Sequence, residues 1–436
     1  MNNNKVHSEL SEVLIRLQKL HPKKIDLTLD RSRKVLQKIG NPHKQFKNIS
    51  NVIGSKAKGS TSKFLKSIIE AHGYTCNLYE SPHLQSITER VTLKDKNISE
   101  EYFTNLLLET EKVIKKYELI VTQFEAISIA ATIAFKENPA DYFVCEAGLG
   151  YNGDYTRVLE DFNSPLCQVI TPLAIEHVEF LGDTIDKIAH EKCGYLNKNT
   201  KIIIAKQTPK ALKAIDFETK NNPSPKFIYG EDFQINIENN DKFTYQDNDS
   251  LMHLDSPSLN GDHQKFNCAT AIAAAKNILP KLDVSKVNYA ITHTENKGRL
   301  QKITKGKLLS YLSPSNSLWI DGGHEELSAI ALTNWANKIK NRKIYLIFGM
   351  LNTKNPKGFL KHFVNIATAI KTVSIPNQEN SEDPKKLAKI SNELGIKANS
   401  SVSIQDALRE CSNEDENSLI LITGSLYLMG EVLNLN

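Results

Sequence analysis

Two absences narrow the field. No apolar run in the sequence reaches about 18 residues, the least a membrane-crossing helix needs, so no membrane partner is expected. No pair of the six cysteines, Cys76, Cys145, Cys167, Cys193, Cys268 and Cys411, has Cys-x-x-Cys spacing. Neither a zinc site nor a disulfide framework is implied, and a reducing compartment fits. The start, "MNNNKVHSELSEVLIRLQKL", has no long apolar core and carries charge throughout, unlike a secretory signal, so the expected location is cytoplasmic. A massed cationic tract is also missing: the net charge is +5 and lysine is spread along the chain, which leaves no nucleic-acid footprint. The small positive excess either helps to attract anionic substrates or is incidental. There is no internal repeat at a fixed period.

What is present is an ordinary globular composition, 40% hydrophobic and 24% charged, in 436 residues, too many for one core. Apolar spacing predicts helices in "SEVLIRLQKL", after the turn in "IDLTLDRSRKVLQKIG", and in "QFEAISIAATIAFKENP". "ISNVIGSKAKGSTSKFLKSIIEAHGY" reads as strand, glycine loop, helix. "TCNLYESPHL", "DYFVCEAGLG" and "CQVITPLAIEHVEFLGDT" read as strands running into loops. This alternation argues for an α/β protein with a mostly parallel sheet flanked by helices. From about Thr208 to Ser258 the chain is polar, and "NIENNDKFTYQDNDSLMHLDSPS" reads as short antiparallel strands and loops. A second, smaller αβ series follows, with strands in "LWIDGG", "IYLIFGM", "KTVSIPN" and "LILITGS". The expected domains are residues 1–296 and 297–436. Ligands of such sheets lie beyond the carboxyl ends of the strands.

"VIGSKAKGSTSKF" has the make-up of a phosphate-binding loop. Such a loop needs small residues around backbone N–H groups, a lysine for the outer phosphates and a hydroxyl for magnesium. Gly54 opens it, Lys58 is the candidate lysine, and Gly59, Ser60 and Thr61 lead into a helix whose N-terminus favours anions. The order Lys-Gly-Ser-Thr departs from the usual Gly-Lys-Ser/Thr, so a plain glycine turn before a helix is an open reading. Ala57 stands where a glycine is usual; if φ there is positive, it costs on the order of 1 kcal/mol.

An ordered series then carries a resemblance: "GSKAKGST", "LYESPHLQSITERV", "CEAGLGYNGDYTRV", "ITPLAIEHVEFLGDTIDKIAHEKCG", "GDHQKFN", "GRLQ", "LWIDGGH" and "ITGSLYLMGEV". Together they resemble the bacterial folylpolyglutamate synthase/dihydrofolate synthase family of the Mur ligase superfamily, from about Asp26 to Glu431. The resemblance implies an N-terminal P-loop-type domain, a smaller Rossmann-like C-terminal domain, and an ATP-dependent amide ligase. ATP would phosphorylate the carboxylate of dihydropteroate or of a folate's terminal glutamate, and the amine of L-glutamate would attack the acyl phosphate. Carboxylates are poor electrophiles, and phosphate supplies the leaving group.

The resemblance also implies roles. ATP would meet Lys56, Ala57, Lys58, Gly59, Ser60 and Thr61, together with Asn267, Arg299 and Asp321, in an interdomain cleft. Magnesium, at two sites, would be held by Ser81, Glu146 and His177; a strand-end carboxylate such as Glu146 suits this hard cation. Lys58, His177 and Lys192 would be catalytic, with Lys192 carbamylated beside the second metal. The pteroate would lie against Asp26, Leu27, Thr28 and Leu29, against Thr122, Gln123, Phe124 and Glu125, and against Gly153, Asp154 and Tyr155. His324 matches too. Taken alone, Ser81 reads as a turn serine, His177 as a hydrogen-bonded structural histidine, Lys192 as a solvated lysine, and Phe124 equally as core.

Several positions depart from the family pattern. Glu176 replaces the aspartate before His177. "GLGYNGDYTR" stands for "GLGGRLDATN" and loses the arginine at Asn152. "DGGHEE" stands for "DGAHNP", bringing in Glu325 and Glu326, and "LNTKN" stands for "LxDKD", removing two acids around Lys354. Three alternatives follow: a diverged nucleotide- or folate-binding homologue with weak or no turnover, another Mur-type ligase acting on a muramyl peptide, and a motor-type P-loop ATPase. The last lacks a second Walker-type acidic strand. A monomer is expected.

Overall fold

The apolar runs form strands buried on both faces, as a parallel sheet covered by helices requires. A computed structural model describes residues 3–21, 25–238 and 242–436. The chain divides into two units. One holds Met1–His83, Ile87–Ser258 and Lys265–Thr294, the other Leu84–Ser86, Leu259–Gln264 and Glu295–Asn436.

The strands of the first unit are β1 (Ile49–Ile53), β2 (Cys76–Tyr79), β3 (Val91–Leu93), β4 (Lys96–Asn97), β5 (Tyr142–Glu146), β6 (Cys167–Ile170), β7 (Lys201–Ile204) and β8 (Lys226–Ile228). They form one sheet in the order β4-β3-β2-β5-β1-β6-β7-β8. All neighbours are parallel except at the β2–β3 and β3–β4 edge. Because the chain leaves β1 for β2 and returns only at β5, β1 lies between β5 and β6. Val52 pairs with Glu146 on one side and Val169 on the other, and Ile53 with Ile170. The loops that follow these three strands are therefore neighbours at the sheet's carboxyl edge, where open α/β sheets bind ligands.

Helices Asn3–Gln18, Asp30–Lys38, Glu100–Lys116 and Gln123–Glu137 contribute to one core around Val35, Leu107, Phe135 and Phe143. Ile185–Cys193 and Pro209–Thr219 contribute to another around Ile202, Ile204 and Ile215. Beneath the sheet edge, Tyr151, Glu160, Asn51 and Gln168 share hydrogen bonds: Tyr151 donates to Glu160, and Gln168 Nε2 reaches the Tyr151 hydroxyl at 2.7 Å and Glu160 at 2.9 Å.

Thr208–Ser258 is only partly what its polarity predicts. The antiparallel meander is present as β9 (Phe233–Ile237), β10 (Phe243–Asp247) and β11 (Leu251–Leu254). Residues 239–241 of that stretch lie outside the described residues. Ahead of it, helix Pro209–Thr219 and β8 replace the expected loops. Thr208 caps that helix by accepting from Ala211 N, and Pro209 occupies its first turn, a start signal hidden by the polar composition.

In the second unit, β12 (Gln301–Ile303), β13 (Ser317–Asp321), β14 (Lys343–Phe348), β15 (Ala367–Thr372), β16 (Ala398–Ser400) and β17 (Ser418–Thr423) order as β12-β13-β17-β14-β15-β16. The sheet is parallel apart from β12. Tyr345 and Ile347 join one core, while Ile344, Leu346 and Phe348 join another, so both faces are covered. β15 ends at Thr372, ahead of most of "KTVSIPN". All six cysteines are buried and free. No helix among the described residues is long and apolar enough to cross a membrane.

Candidate active site

The loop after β1 is drawn tight from below. Ser55 N and Lys56 N both donate to Pro172 O at 3.1 Å, and Ser55 Oγ donates to Ala174 O at 2.9 Å. A side chain at Gly54 would collide with Thr171, whose carbonyl oxygen lies 2.9 Å from where a Cβ would stand. Ala57 caps helix Lys58–Ala71 at φ +67, the left-handed conformation that suits glycine, so the cost anticipated for this alanine applies. The first intrahelical bond is Thr61 N to Ala57 O, at 2.9 Å. The N–H groups of Lys58, Gly59 and Ser60 precede it, at the end of the helix that carries its partial positive charge.

Four charges gather here. The ammonium groups of Lys58 and Lys192 each donate to Gly54 O at 2.9 Å. Lys192, only 1% exposed, pairs with Glu176 at 3.1 Å, and Lys56 lies 3.8 Å from the same carboxylate. Burial, seconded by the Lys58 charge, brings the Lys192 amine down to about 8 despite the pull of Glu176. Burial works against the Glu176 charge, but Lys192, Lys58 and Lys56 together hold its carboxyl below the usual range. Lys192 is thus a buried ion-pair partner and not a solvated lysine. His177, next in the chain, is exposed with φ +46.

Glu146, at the end of β5, turns its carboxylate toward Gly59: Oε2 lies 3.5 Å from where a Cβ there would stand. Thr61 Oγ1 is buried and has no hydrogen-bond partner within the chain. An oriented carboxylate, an orphaned hydroxyl and a helix N-terminus are the donor set that a magnesium–phosphate group requires. Among the described residues no three His, Cys, Asp or Glu side chains form a cage.

Gly148 marks a second focus. A Cβ on it would meet Phe124 Cζ at 3.1 Å, Asp154 Oδ2 at 3.2 Å and Ser81 Oγ at 3.3 Å. Three predicted residues from distant parts of the chain therefore converge. Asp154 accepts from Gly148 N and Leu149 N, both at 2.9 Å, and from the backbone and hydroxyl of Thr156. Its carboxylate shapes the glycine loop from within.

The three candidate pteroate segments are knit together. Leu27 fills the space beside Gly153, its Cβ 2.7 Å from where a Gly153 Cβ would stand. Arg31 donates to Asp26 Oδ2 at 3.0 Å, to Asp26 O at 2.7 Å and to Glu125 Oε2 at 3.2 Å. Glu125 also closes a capping box with Thr122. Gln123 donates to Leu14 O, and the buried Tyr155 hydroxyl meets Thr132. Leu29 is buried, while Thr28 and Phe124 are half-buried. Sequence reasoning missed Arg31. Its signal was an arginine two residues past "DLTL", beside two acids that needed a cation.

In the second unit, Asp321 ends β13 and accepts from Leu300 N at 2.8 Å and Gly323 N at 2.7 Å. Burial raises its carboxyl against the pull of Arg299. His324 Nδ1 lies 2.9 Å from Gly322 O. Asn267 is buried on helix Asp262–Ile278, in the part of it that belongs to the first unit.

Residues 52–275 match the family model of the Mur ligase middle domain, and residues 307–435 that of the dihydrofolate synthetase C-terminal domain. The chain belongs to the Mur ligase family, in its dihydrofolate synthase/folylpolyglutamate synthase branch. It is 27% identical over 420 residues to a dihydrofolate synthase/folylpolyglutamate synthase of Bacillus subtilis, covering 93% of this chain and 94% of the relative. It superposes on Escherichia coli FolC in complex with DHPP and ADP with a TM-score of 0.85 at 24% identity, covering 98% and 97% of the two chains. For a bifunctional folylpolyglutamate synthase/dihydrofolate synthase with Mn, AMPPNP and L-glutamate bound, the values are 0.83, 22%, 98% and 97%. At such identities the structural likeness is one of fold.

Two of the departures have contacts of their own. Glu325 of "DGGHEE" pairs with Lys354 of "LNTKN" at 3.2 Å. Arg157 Nη1 donates to Asn152 O at 3.0 Å and to its Oδ1 at 3.2 Å.

Proposed function

We propose that this Mur ligase joins L-glutamate to a pterin-bearing acid, dihydropteroate or the glutamate tail of a folate, at the expense of ATP. The observation that carries the reading is the adjoining of two foci on one sheet edge. Around Gly54–Thr61, the ammonium groups of Lys58 and Lys192 converge on Gly54 O beside the N-terminus of helix Lys58–Ala71. Around Gly148, a serine and an aromatic ring meet the loop that the three pteroate segments support. ATP phosphorylates the acceptor's carboxylate, the glutamate amine attacks the acyl carbon, and ADP and phosphate leave.

Lys58 neutralises phosphate charge while the Lys58–Ser60 N–H groups orient it. Magnesium, which supplies further charge neutralisation when bound, would be held by Glu146 and Ser81, and at a second site by His177. Lys192 is the candidate for carbamylation. A lysine with a lowered pKa exposes more neutral amine to carbon dioxide, and the product is an anion suited to the second metal. Intact-mass and labelled-bicarbonate measurements on the native protein test that assignment. Asn267, Arg299 and Asp321 are the remaining nucleotide contacts. We take the protein to act as a monomer in a reducing cytoplasm, which its unpaired buried thiols suit.

The deciding experiment incubates purified protein with ATP, Mg²⁺ and labelled glutamate, and with dihydropteroate, a folate or a UDP-muramyl acceptor in separate reactions. Label is expected in the pterin product, with ADP formed only when acceptor and glutamate are both present. Transfer to the muramyl acceptor alone would replace the reading by that of a cell-wall ligase. Nucleotide binding with no transfer would replace it by that of a binding protein.

A further inference from the structure

Arg90 is absent from the roles assigned so far. It lies half-buried just before β3, and the backbone holds it there: Glu80 N donates to Arg90 O at 3.1 Å. His83 and Phe124 are among the groups its side chain meets. Arg90 Nε donates to His83 Nδ1 at 3.0 Å, and its guanidinium carbon lies 6.0 Å from the centroid of the Phe124 ring. A guanidinium has no lone pair to offer, so Nδ1 must be the acceptor and the His83 proton belongs on Nε2. Phe124 is the ring whose edge converges with Ser81 Oγ on Gly148. A cation thus stands beside Phe124, which with Asp154 is one of the two candidate acceptor contacts that meet at Gly148.

We infer that Arg90 binds the carboxylate of the acceptor acid and that His83 is the positioning residue that aims it. The inference rests on the proposed ligase function and adds to it a specificity determinant. The planar fork of arginine matches a carboxylate, and its face can lie on an aromatic ring at the same time; lysine can do only the first, as a point charge. An aryl acid such as dihydropteroate presents a flat ring system and, at one end, an anion. Phe124 and Arg90 offer an aromatic surface and a cation beside it. His83 fixes the guanidinium by engaging Nε, so the fork is set before substrate arrives.

The test compares the acceptor with its carboxamide analogue, which keeps the rings and loses the charge. Binding of each is measured for wild type, Arg90→Lys, Arg90→Ala, His83→Ala and His83→Asn, alongside KM for acceptor and for ATP. Wild type is expected to prefer the acid by roughly 10–100-fold, the range of charge-assisted hydrogen bonds. Arg90→Ala should abolish that preference and raise the acceptor KM by a similar factor, leaving the KM for ATP unchanged. Arg90→Lys, which keeps the charge and so guards against a folding artefact, should retain part of the preference. His83→Ala should weaken it, and His83→Asn, whose Oδ1 can accept from Nε, should restore it. An acid preference that persists in both Arg90 variants overturns the inference, as does an equal rise in both KM values. A wild-type protein that binds neither acid nor amide refutes the ligase reading instead.

Discussion

Ala57 carries a steric cost that glycine would not. At φ +67 an L-residue loses roughly 1–2 kcal/mol, while a glycine there loosens the unfolded chain by roughly 0.4–1 kcal/mol. Ala57→Gly should therefore raise the unfolding free energy by up to about 1 kcal/mol, read from urea transitions. A loss of stability would show that the left-handed turn is unstrained. Lys192 makes a prediction of opposite character. Folded and unmodified, in buffer purged of carbon dioxide, its amine sits at about 8; unfolded, near its ordinary 10.5. Below about 8 both states hold the proton and the desolvation cost stands in full. Between about 8 and 10.5 the unfolded chain binds more protons, so this residue makes stability rise with pH across that window. Lys192→Met should flatten the rise, measured as unfolding free energy at several pH values from about 7 to about 10. A slope unchanged by the substitution would place the titration elsewhere.

At the scale of elements, the candidate site was legible where its signals were local. "GSKAKGST" is one short segment whose glycines, lysine and hydroxyls declare a loop at a helix start, and "YFVCE" shows a carboxylate ending an apolar strand. The Lys192–Glu176 pair was not legible: nothing in the spacing of a loop residue and a helix residue says that one carbonyl, Gly54 O, collects two ammonium groups. Nor did the segments "DLTL" and "TQFE" reveal that Arg31 joins them, since side-chain contacts across about 94 positions have no local signature. That join makes a prediction. Arg31→Ala leaves Asp26 and Glu125 without their shared cation and should raise the acceptor KM several-fold while kcat changes little. Thr122→Ala removes the cap of helix Gln123–Glu137 and should cost about 1 kcal/mol of stability. Steady-state kinetics and denaturant titration separate the two, and equal effects of both variants on KM would count against Arg31 as the organiser. Helix Pro209–Thr219 escaped the sequence reading for the converse reason: its start signal is local, but a polar stretch masked it.

At the scale of the molecule, strand alternation was enough to give two α/β sheets, because parallel strands buried on both faces must be apolar throughout. Pairing order was not encoded in that way. The place of β1 between β5 and β6, which sets three loops side by side, depends on crossovers that only the folded chain displays. The six buried thiols have a use at this scale. Cys76, Cys145, Cys167, Cys193 and Cys268 belong to the first unit and Cys411 to the second. None can be alkylated until its surroundings open, so the native protein is its own stopwatch. Timed exposure to iodoacetamide, followed by peptide mapping, should label Cys411 on one clock and the other five on another, and should report without any added probe which half of the chain lets go first.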